Sequence, residues 1–457
     1  MIPRRHLVRT PFLATLLPML LLLSRPAGAQ PRQLEDSTVV ETWTLANGLR
    51  VAAHHIRGAA SMAITVGVPV GRDADPPGRD GLARLAAEAQ MMGAAGDVPE
   101  RTRQEMESLR PLGWSLKVTR GFTQLSEVAS RDQFPGVLRQ IATRMRGVTV
   151  PEELLKASVA TVRRELGEEL FGPPEQSLYF QVREYAMGHD EKSIVDLAAG
   201  KTLAAVRAKE LEQRMRRVFA VRHAVLAIAG DLSGINLHAL VQNEFGGLPP
   251  GDPLVSPAPA PFHPSAHRLA RAEVSHAVGV VGVFAPALSD TTHPQFFLTL
   301  LMMGQHVKNS WPPESGQRSR FSYSILDEPD LARFFPKVPA DSTDPSVLSF
   351  ELSGTLAGLG EMIIMQRSYE TMIASVLWML GGPMPGPVLD DVRRDGAALN
   401  YLCNALATRE LTGGESFWGA YRDRFDLRRN PQLPSWAGYV AAPRNQALLL
   451  MTPRRGR

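Results

Sequence analysis

The chain has 457 residues, of which 44% are hydrophobic and 21% are charged. This composition excludes a disordered chain, and at this length it predicts a large apolar core divided between two domains. The formal net charge is +4, but the first 29 residues hold Arg4, Arg5, Arg9 and Arg25 and no acid. Beyond them Lys+Arg falls from 50 to 46 and equals the 46 Asp+Glu. A neutral mature chain gives no reason to expect a nucleic-acid partner.

Residues 1–29 have the three parts of a secretory signal peptide. A basic start is followed by an apolar run from Phe12 to Leu23 and then by small residues ending at Ala29. The run is too short to cross a bilayer as a helix. We therefore expect cleavage after Ala29 and a secreted or periplasmic protein without membrane contact, with an uncleaved anchor as the alternative. The single cysteine, Cys403, excludes an intrachain disulfide and is interpreted as a buried thiol.

The first half alternates strand-like and helix-like patterns. Asn47-Gly48, between two alternating apolar runs, predicts a hairpin. Apolar residues at spacings of three and four predict the helices, and short apolar runs bounded by turn residues predict the strands. In chain order the predicted elements are strands within 42–70, helices over 81–92 and 102–113, two strands around Gly121, helices over 133–147, 151–170 and 202–220, a strand over 224–231 and a helix over 235–245.

The second half repeats this order more loosely after a Pro-rich linker, residues 249–264. Its predicted elements are a strand over 276–287, a helix over 293–304, strands over 321–328 and 347–354 separated by a polar loop, helices over 358–379 and 388–408, a polar loop at 413–419 and a strand over 447–453. The repetition predicts a duplicated α+β fold, with two similar sandwich-like domains, 40–248 and 265–453. Each is expected to be a mainly antiparallel sheet with helices packed on it.

Several segments of the first half resemble the pitrilysin/insulinase family of zinc peptidases. TLANGLRV (44–51) is similar to the opening strand of that family, and GRDADPPGRDGLARLAAEAQMMG (71–93) aligns without a gap on its signature. VRREL (162–166) resembles the segment that carries the third zinc ligand. AVLAIAGDL followed by EFGGLP resembles the end of the N-terminal domain. The resemblance covers residues 40–250 well and residues 265–453 weakly.

The chemistry of that family requires H-x-x-E-H on one helix, because side chains at i and i+4 share a face and can hold one Zn²⁺. The intervening glutamate takes a proton from the zinc-bound water, and a distant glutamate completes the ligands. By the resemblance, the first histidine position is Arg84, the general base is Ala87 and the second histidine is Glu88. Only the distant ligand survives, as Glu165. Arginine cannot ligate a metal and two carboxylates do not select zinc, so we expect neither a catalytic zinc nor catalysis here.

The sequence also predicts contacts for the side chains of Arg84 and Tyr323. Arg84 and Glu88 form an i, i+4 pair, so the Arg84 guanidinium is expected to stand in the place of the metal and neutralise Glu88, Glu165 or both. A solvent-facing Arg84 is the alternative. In the second half, Tyr323 matches the substrate-contacting tyrosine of the family, although ordinary strand packing explains it equally well. The family's substrate arginine would fall near Gly316, and the nearest arginines, Arg318 and Arg320, are displaced from that position.

Three functions remain open from sequence. The first is a non-catalytic subunit that works in a heterodimer with a zinc-bearing homologue on peptide substrates, with zinc only in the partner. The second is a stand-alone binding or scaffold protein of the cell envelope. The third is a metallopeptidase with an unorthodox site. An intact H-x-x-E-H in a neighbouring reading frame would favour the first over the second.

Overall fold

The structure, a computed structural model, describes residues 38–254, 261–309, 320–357, 384, 386–424 and 433–454. Within these ranges the strands form two sheets. In chain order they are β1 (Thr38–Thr44), β2 (Arg50–Ile56), β3 (Met62–Val68), β4 (Trp114–Val118), β5 (Thr123–Ala129), β6 (Val225–Gly230), β7 (Ser265–Arg271), β8 (Val278–Phe284), β9 (Arg320–Ser324), β10 (Glu328–Phe335) and β11 (Gln446–Pro453).

The helices lie between and beyond these strands. They are α1 (Leu82–Met92), α2 (Arg103–Leu109), α3 (Phe134–Arg146), α4 (Glu152–Phe171), α5 (Pro174–Ala186), α6 (Glu191–Ala198), α7 (Ala208–Val218), α8 (Leu237–Phe245), α9 (His293–Asn309), α10 (Ser346–Ala357), α11 (Gly386–Arg394), α12 (Gly396–Leu411), α13 (Gly414–Asp423) and α14 (Leu433–Ala441). None of the helices in the described ranges combines the length and the apolar composition needed to cross a membrane.

The two sheets share one topology. The first has the strand order β1-β2-β6-β3-β5-β4 and the second β7-β11-β8-β10-β9. β2 runs parallel to β6, and β7 runs parallel to β11, whereas the remaining neighbours are antiparallel. The second sheet therefore repeats strands β2 to β6 of the first. This repetition confirms the predicted α+β fold with two similar, mainly antiparallel sheets.

The Asn47-Gly48 turn joins β1 and β2 as predicted. The Gly48 amide donates to the Leu45 carbonyl at 2.9 Å, and the Leu45 amide donates to the Leu49 carbonyl at 2.9 Å. Gly48 has φ +91°, a left-handed conformation that favours glycine. The Asn47 side chain donates to the carbonyl of Phe245 at 2.8 Å, so the turn also holds the end of α8.

Each sheet is covered on one face by a helix from the other half of the chain. Helix α5 of the first half packs on β8 and β11, with Val182 next to Gly282. Helix α12 of the second half packs on β3 and β6, where Cys403 is buried and its thiol donates to the Ala63 carbonyl at 3.5 Å. Burial raises the pKa of Cys403 to about 12, which agrees with the buried thiol expected from sequence. The proposed domain boundaries stay a prediction.

Three segments form a different type of element from the one predicted, and helices α5, α6 and α14 and strand β7 are not among the predicted elements. The segment 347–354 was expected to be a strand but lies in α10. Leu348 and Leu352 are buried one turn apart while Phe350 is 74% exposed, so the helical period overrides the apparent alternation. The predicted loop after residue 328 contains strand β10, and the predicted loop at 413–419 lies largely in helix α13. The predicted signal peptide, the predicted helix over 358–379 and the centre of the predicted linker lie outside the described residues.

Candidate functional site

Helix α1 carries three of the positions that the resemblance assigns to zinc chemistry. Its start is fixed by Asp75, whose carboxylate accepts hydrogen bonds from the amides of Gly81 at 3.0 Å and Ala83 at 2.8 Å. Arg214 donates to the same carboxylate at 2.9 Å. Burial raises the pKa of Asp75 to about 7, although the Arg214 charge and the two amides act against this rise. The acid of the glycine-rich turn therefore caps the helix.

Glu88 lies on α1 and is only 3% exposed. Its carboxylate is held by Arg103, the first residue of α2, in a two-bond pair: Nε to Oε1 at 2.9 Å and Nη2 to Oε2 at 2.6 Å. The remaining terminal nitrogen of the same guanidinium, Nη1, lies 2.6 Å from Oε1 of Glu165 on α4. One arginine therefore bridges the second histidine position and the distant ligand position, and it ties together three helices.

Arg103 is itself well anchored. Its guanidinium lies 5.6 Å from the ring centroid of Trp114, and the start of α2 is fixed by a reciprocal cap between Thr102 and Glu105. Burial lowers the pKa of Arg103, but the hydrogen bonds and charges of Glu88 and Glu165 outweigh burial, so the pKa lies above its usual value. Arg103 is therefore a fixed cation.

Arg84 does not occupy the place expected for it. Its Nη1 donates to Oε1 of Glu169 at 2.9 Å, one helical turn beyond Glu165 on α4. Its charge still acts on Glu165: burial raises the pKa of Glu165, and the cations Arg103 and Arg84 partly offset that rise. The expected neutralisation of Glu88 and Glu165 by a guanidinium is present, but the ion pairs come from Arg103. Ala87, at the general-base position, is fully buried and has no group that accepts a proton.

Sequence reasoning missed Arg103, although the sequence held a signal for it. A cation at the first residue of a helix faces the positive end of the helix dipole, where acids are favoured. Such a local mismatch indicates a partner elsewhere in the fold. Here the partners are Glu88 and Glu165.

These residues do not fit a zinc ion. Across the part of the chain that the structure describes, no three histidine, cysteine, aspartate or glutamate side chains come together as a metal site requires. Glu88 and Glu165 are both engaged by one guanidinium, which cannot ligate a metal. The arrangement links three helices and neutralises buried acid. The absence of zinc from the protein stays a prediction.

Tyr323 lies in the second half, on β9. Its hydroxyl donates to the carbonyl of Pro329 at 2.7 Å and lies 3.1 Å from Nε2 of His293. His293 is fully buried and its Nδ1 lies 2.7 Å from the Tyr421 hydroxyl, while Phe296 packs edge-on against the Tyr323 ring. These contacts suit a packing role. A substrate contact through Tyr323 stays a prediction, and residues 316 and 318 lie outside the described ranges.

A second charged cluster is centred on Glu184 of α5, which is completely buried. Its Oε1 lies 2.7 Å from Nη2 of Arg72 and 3.0 Å from Nη2 of Arg183, and its Oε2 lies 3.0 Å from Nδ1 of His189. Burial alone would raise the pKa of Glu184, but the charges of Arg72 and Arg183 hold it well below its usual value.

Further ion pairs join the two halves beside this cluster. Arg183 lies 3.8 Å from Glu328 of β10, and Arg120 pairs with both Asp73 and Asp330. The two acids of β10 are therefore paired with cations of the first half.

The fold is shared with solved peptidase structures. A protease from Helicobacter pylori matches with a TM-score of 0.65 at 14% identity, covering 91% of this chain and 100% of its own. The periplasmic protease PqqL from Escherichia coli matches with a TM-score of 0.63 at 15% identity, covering 93% of this chain. This chain spans 48% of the length of PqqL. A peptidase M16 inactive domain from Pseudomonas fluorescens matches with a TM-score of 0.59 at 14% identity, covering 91% of this chain and 98% of its own.

No family model matches the sequence, and no curated protein matches it. At these identities the structural matches establish the fold alone. The chain has a pitrilysin-like fold, that of the M16 structures it matches, with two similar sheets and helices packed on them.

Proposed function

We propose that the protein is a non-catalytic, peptidase-like subunit that helps a zinc-bearing homologue bind and degrade or process peptides in the cell envelope. The observation that carries this proposal is the Arg103 guanidinium between Glu88 and Glu165. Arg103 supplies a permanent cation where the resemblance requires a metal, and Ala87 cannot move a proton. The pitrilysin-like fold is retained, but the positions that the resemblance assigns to zinc catalysis carry residues that do not support it.

A partner of the same architecture fits this proposal. PqqL has about twice the length of this chain, and this chain aligns with about half of it. A second two-domain unit, carried on another chain and holding zinc, would correspond to the half of PqqL that this chain does not cover. The inactive M16 domain from Pseudomonas fluorescens is a precedent for this fold without activity. The peptide would then be bound by both units and cleaved by the partner.

The same proposal places the protein outside the cytoplasm. The signal-like pattern of residues 1–29 supports export, and the solved neighbour PqqL is a periplasmic protease. N-terminal sequencing of protein recovered from the native host should begin at Gln30 or within a residue or two of it. An intact Met1 on cytoplasmic protein would contradict export.

Co-purification tests the subunit role. The chain, tagged at its C-terminus and expressed at native level, should bring down a homologue with an intact H-x-x-E-H motif in a 1:1 ratio. The complex should cleave unstructured peptides and lose that activity with a chelator, whereas this chain alone should cleave nothing. A homologue that elutes separately and is fully active alone would favour a stand-alone scaffold. Chelator-sensitive cleavage by this chain alone would overturn the non-catalytic role.

A further inference from the structure

A buried group of arginines lies on the first sheet, apart from the Arg103 pair. Arg101, Arg110 and Arg144 are 8%, 7% and 4% exposed, and they surround the buried acid Glu127 of β5. Three permanent cations with one buried carboxylate leave an excess of positive charge in a region closed to solvent. Buried charge of one sign is costly unless it is paired and hydrogen-bonded.

The partners of two of these arginines are accounted for. Arg110 donates from Nε to Oε2 of Glu127 at 2.5 Å and from Nη2 to Oε1 of Gln140 at 3.0 Å. Arg101 donates from Nη2 to the same Gln140 oxygen at 3.2 Å. Glu105 also acts on Arg101, but Glu105 is exposed and its carboxylate accepts from the amide and hydroxyl of Thr102. The single buried acid is thus used by Arg110.

Arg144 is the unpartnered member. None of its three guanidinium nitrogens hydrogen-bonds to a described residue, and all three are buried. The helical period of α3 forces it inward: Val137, Ile141 and Arg144 fall on one face, whereas Arg146 is exposed. The charges of Glu127, Arg101 and Arg110 all act on Arg144, so it belongs to the same charged group.

We propose that Arg101, Arg110 and Arg144 form a binding site for a small inorganic oxyanion of the phosphate or sulfate type. The planar, multi-donor guanidinium is suited to two-bond contacts with such oxygens. The low exposure of all three arginines restricts the site to a small ion. The bound anion neutralises the excess charge and links the C-terminal turn of α3 to the chain on either side of α2.

The test is thermal unfolding of the mature chain at constant ionic strength, with sodium phosphate replacing sodium chloride in the millimolar range. A ligand that binds only the folded state raises its melting temperature, so the wild type should gain a few degrees in a saturable manner. Arg144→Met should lose this gain. Arg146→Met, an exposed arginine on the same helix, should keep it.

Titration calorimetry with inorganic phosphate gives a second measurement on the unaltered protein. One phosphate per chain, displaced by sulfate, is expected. A wild type that neither binds phosphate nor gains stability from it would overturn the proposal. An equal gain in wild type and Arg144→Met would also overturn it, because the stabilisation would then be a general salt effect. If Arg144→Met does not fold, the calorimetric result on the wild type decides.

Discussion

The guanidinium of Arg103 and the carboxylate of Glu88 form a two-bond pair, with N···O distances of 2.9 and 2.6 Å. Two-bond pairs of this kind are the geometrically specific form of a charged hydrogen bond. The remaining terminal nitrogen of Arg103 reaches Glu165 at 2.6 Å. One side chain therefore satisfies two acids that lie 77 residues apart in sequence, and the stability of this region depends on it.

Replacing Arg103 by Met should destabilise the fold by about 2–4 kcal/mol, because it leaves the buried Glu88 carboxylate without a counter-charge. Adding Glu88→Gln should recover part of the loss, since the stranded charge is then gone. Urea unfolding of the four proteins in this cycle measures the coupling. Arg84→Met is the matched control: Arg84 pairs with Glu169, so Glu88→Gln should not rescue it. Strictly additive effects of Arg103→Met and Glu88→Gln would contradict the pair.

The pair also predicts how metal binding depends on sequence. The purified mature chain should hold no stoichiometric zinc after dialysis, because neither histidine position carries an imidazole. The triple variant Arg84→His, Glu88→His, Arg103→Ala restores two imidazoles one turn apart and releases Glu165. It should bind about one zinc per chain by metal analysis, since three protein ligands are then available.

The control for this experiment keeps Arg103 in place. Arg84→His with Glu88→His alone should bind zinc more weakly than the triple variant, because Arg103 still holds Glu165. Adding Glu165→Gln to the triple variant should weaken binding again. One zinc per wild-type chain, lost on Glu165→Gln, would refute the interpretation of the site.

The sequence predicted most of this fold because its elements are short and strongly periodic. Strand β6, with every residue buried, and helix α3, with its apolar stripe, were found from pattern alone. The segment 347–354 was wrongly predicted as a strand, because apolar and polar residues alternate there in a way that also fits one face of a helix. Strand β10 was missed because its charges resemble a loop, and only the fold reveals that they pair with Arg120 and Arg183.

The centre of the site was predictable only in part. The resemblance to the family signature identified the positions of Glu88 and Glu165 and the absence of imidazoles, because the segments that carry them align with that family. The cation between them was assigned to Arg84, the nearest in sequence at i, i+4. In the structure this cation is Arg103 of α2, because Arg84 pairs with Glu169. Spacing along one helix identifies neighbours on that helix, but it does not predict which residue of another helix forms the ion pair.

A pH-dependent contribution to stability is expected at the buried cluster around Glu184. The hydrogen bond and charge of Glu184 raise the pKa of His189 above its usual value, while the burial of His189 acts in the opposite direction. The folded state therefore holds the proton more tightly than the unfolded chain. The contribution is fully present below the ordinary histidine pKa of about 6.5 and is lost as pH rises through the folded pKa.

His189→Gln isolates this contribution, since glutamine does not titrate. The difference in unfolding free energy between wild type and variant should be larger at pH 5.5–6 than at pH 8, measured by urea unfolding at matched ionic strength. His276→Gln, at a partly exposed position that bonds only to neighbouring Ser275 among the described residues, is the control. A difference that stays constant or grows with pH would contradict the predicted direction.

The exchange of helices between the sheets predicts that the two halves do not fold independently. Helix α12 covers an apolar face of the first sheet, and α5 lies on the second. The residues of α12 in this contact are Leu399, Leu402, Cys403, Leu406 and Ala407, which pack against Ala52, Ala63, Val128, Val225, Ala227 and Ala229. Residues 30–254 expressed alone would expose this surface to water, at a cost of about 25 cal/mol for each Å² of apolar area.

Alone, each half should aggregate or unfold without a cooperative transition. Co-expressed as separate chains, 30–254 and 261–457 should associate and recover the near-ultraviolet circular dichroism of the intact protein. The variant Leu402→Glu in the second fragment should block that association, while Tyr401→Glu, at a 39% exposed position next to it, should have a smaller effect. If residues 30–254 alone unfold cooperatively with the stability of the intact chain, α12 is dispensable to the first sheet and the halves are autonomous domains.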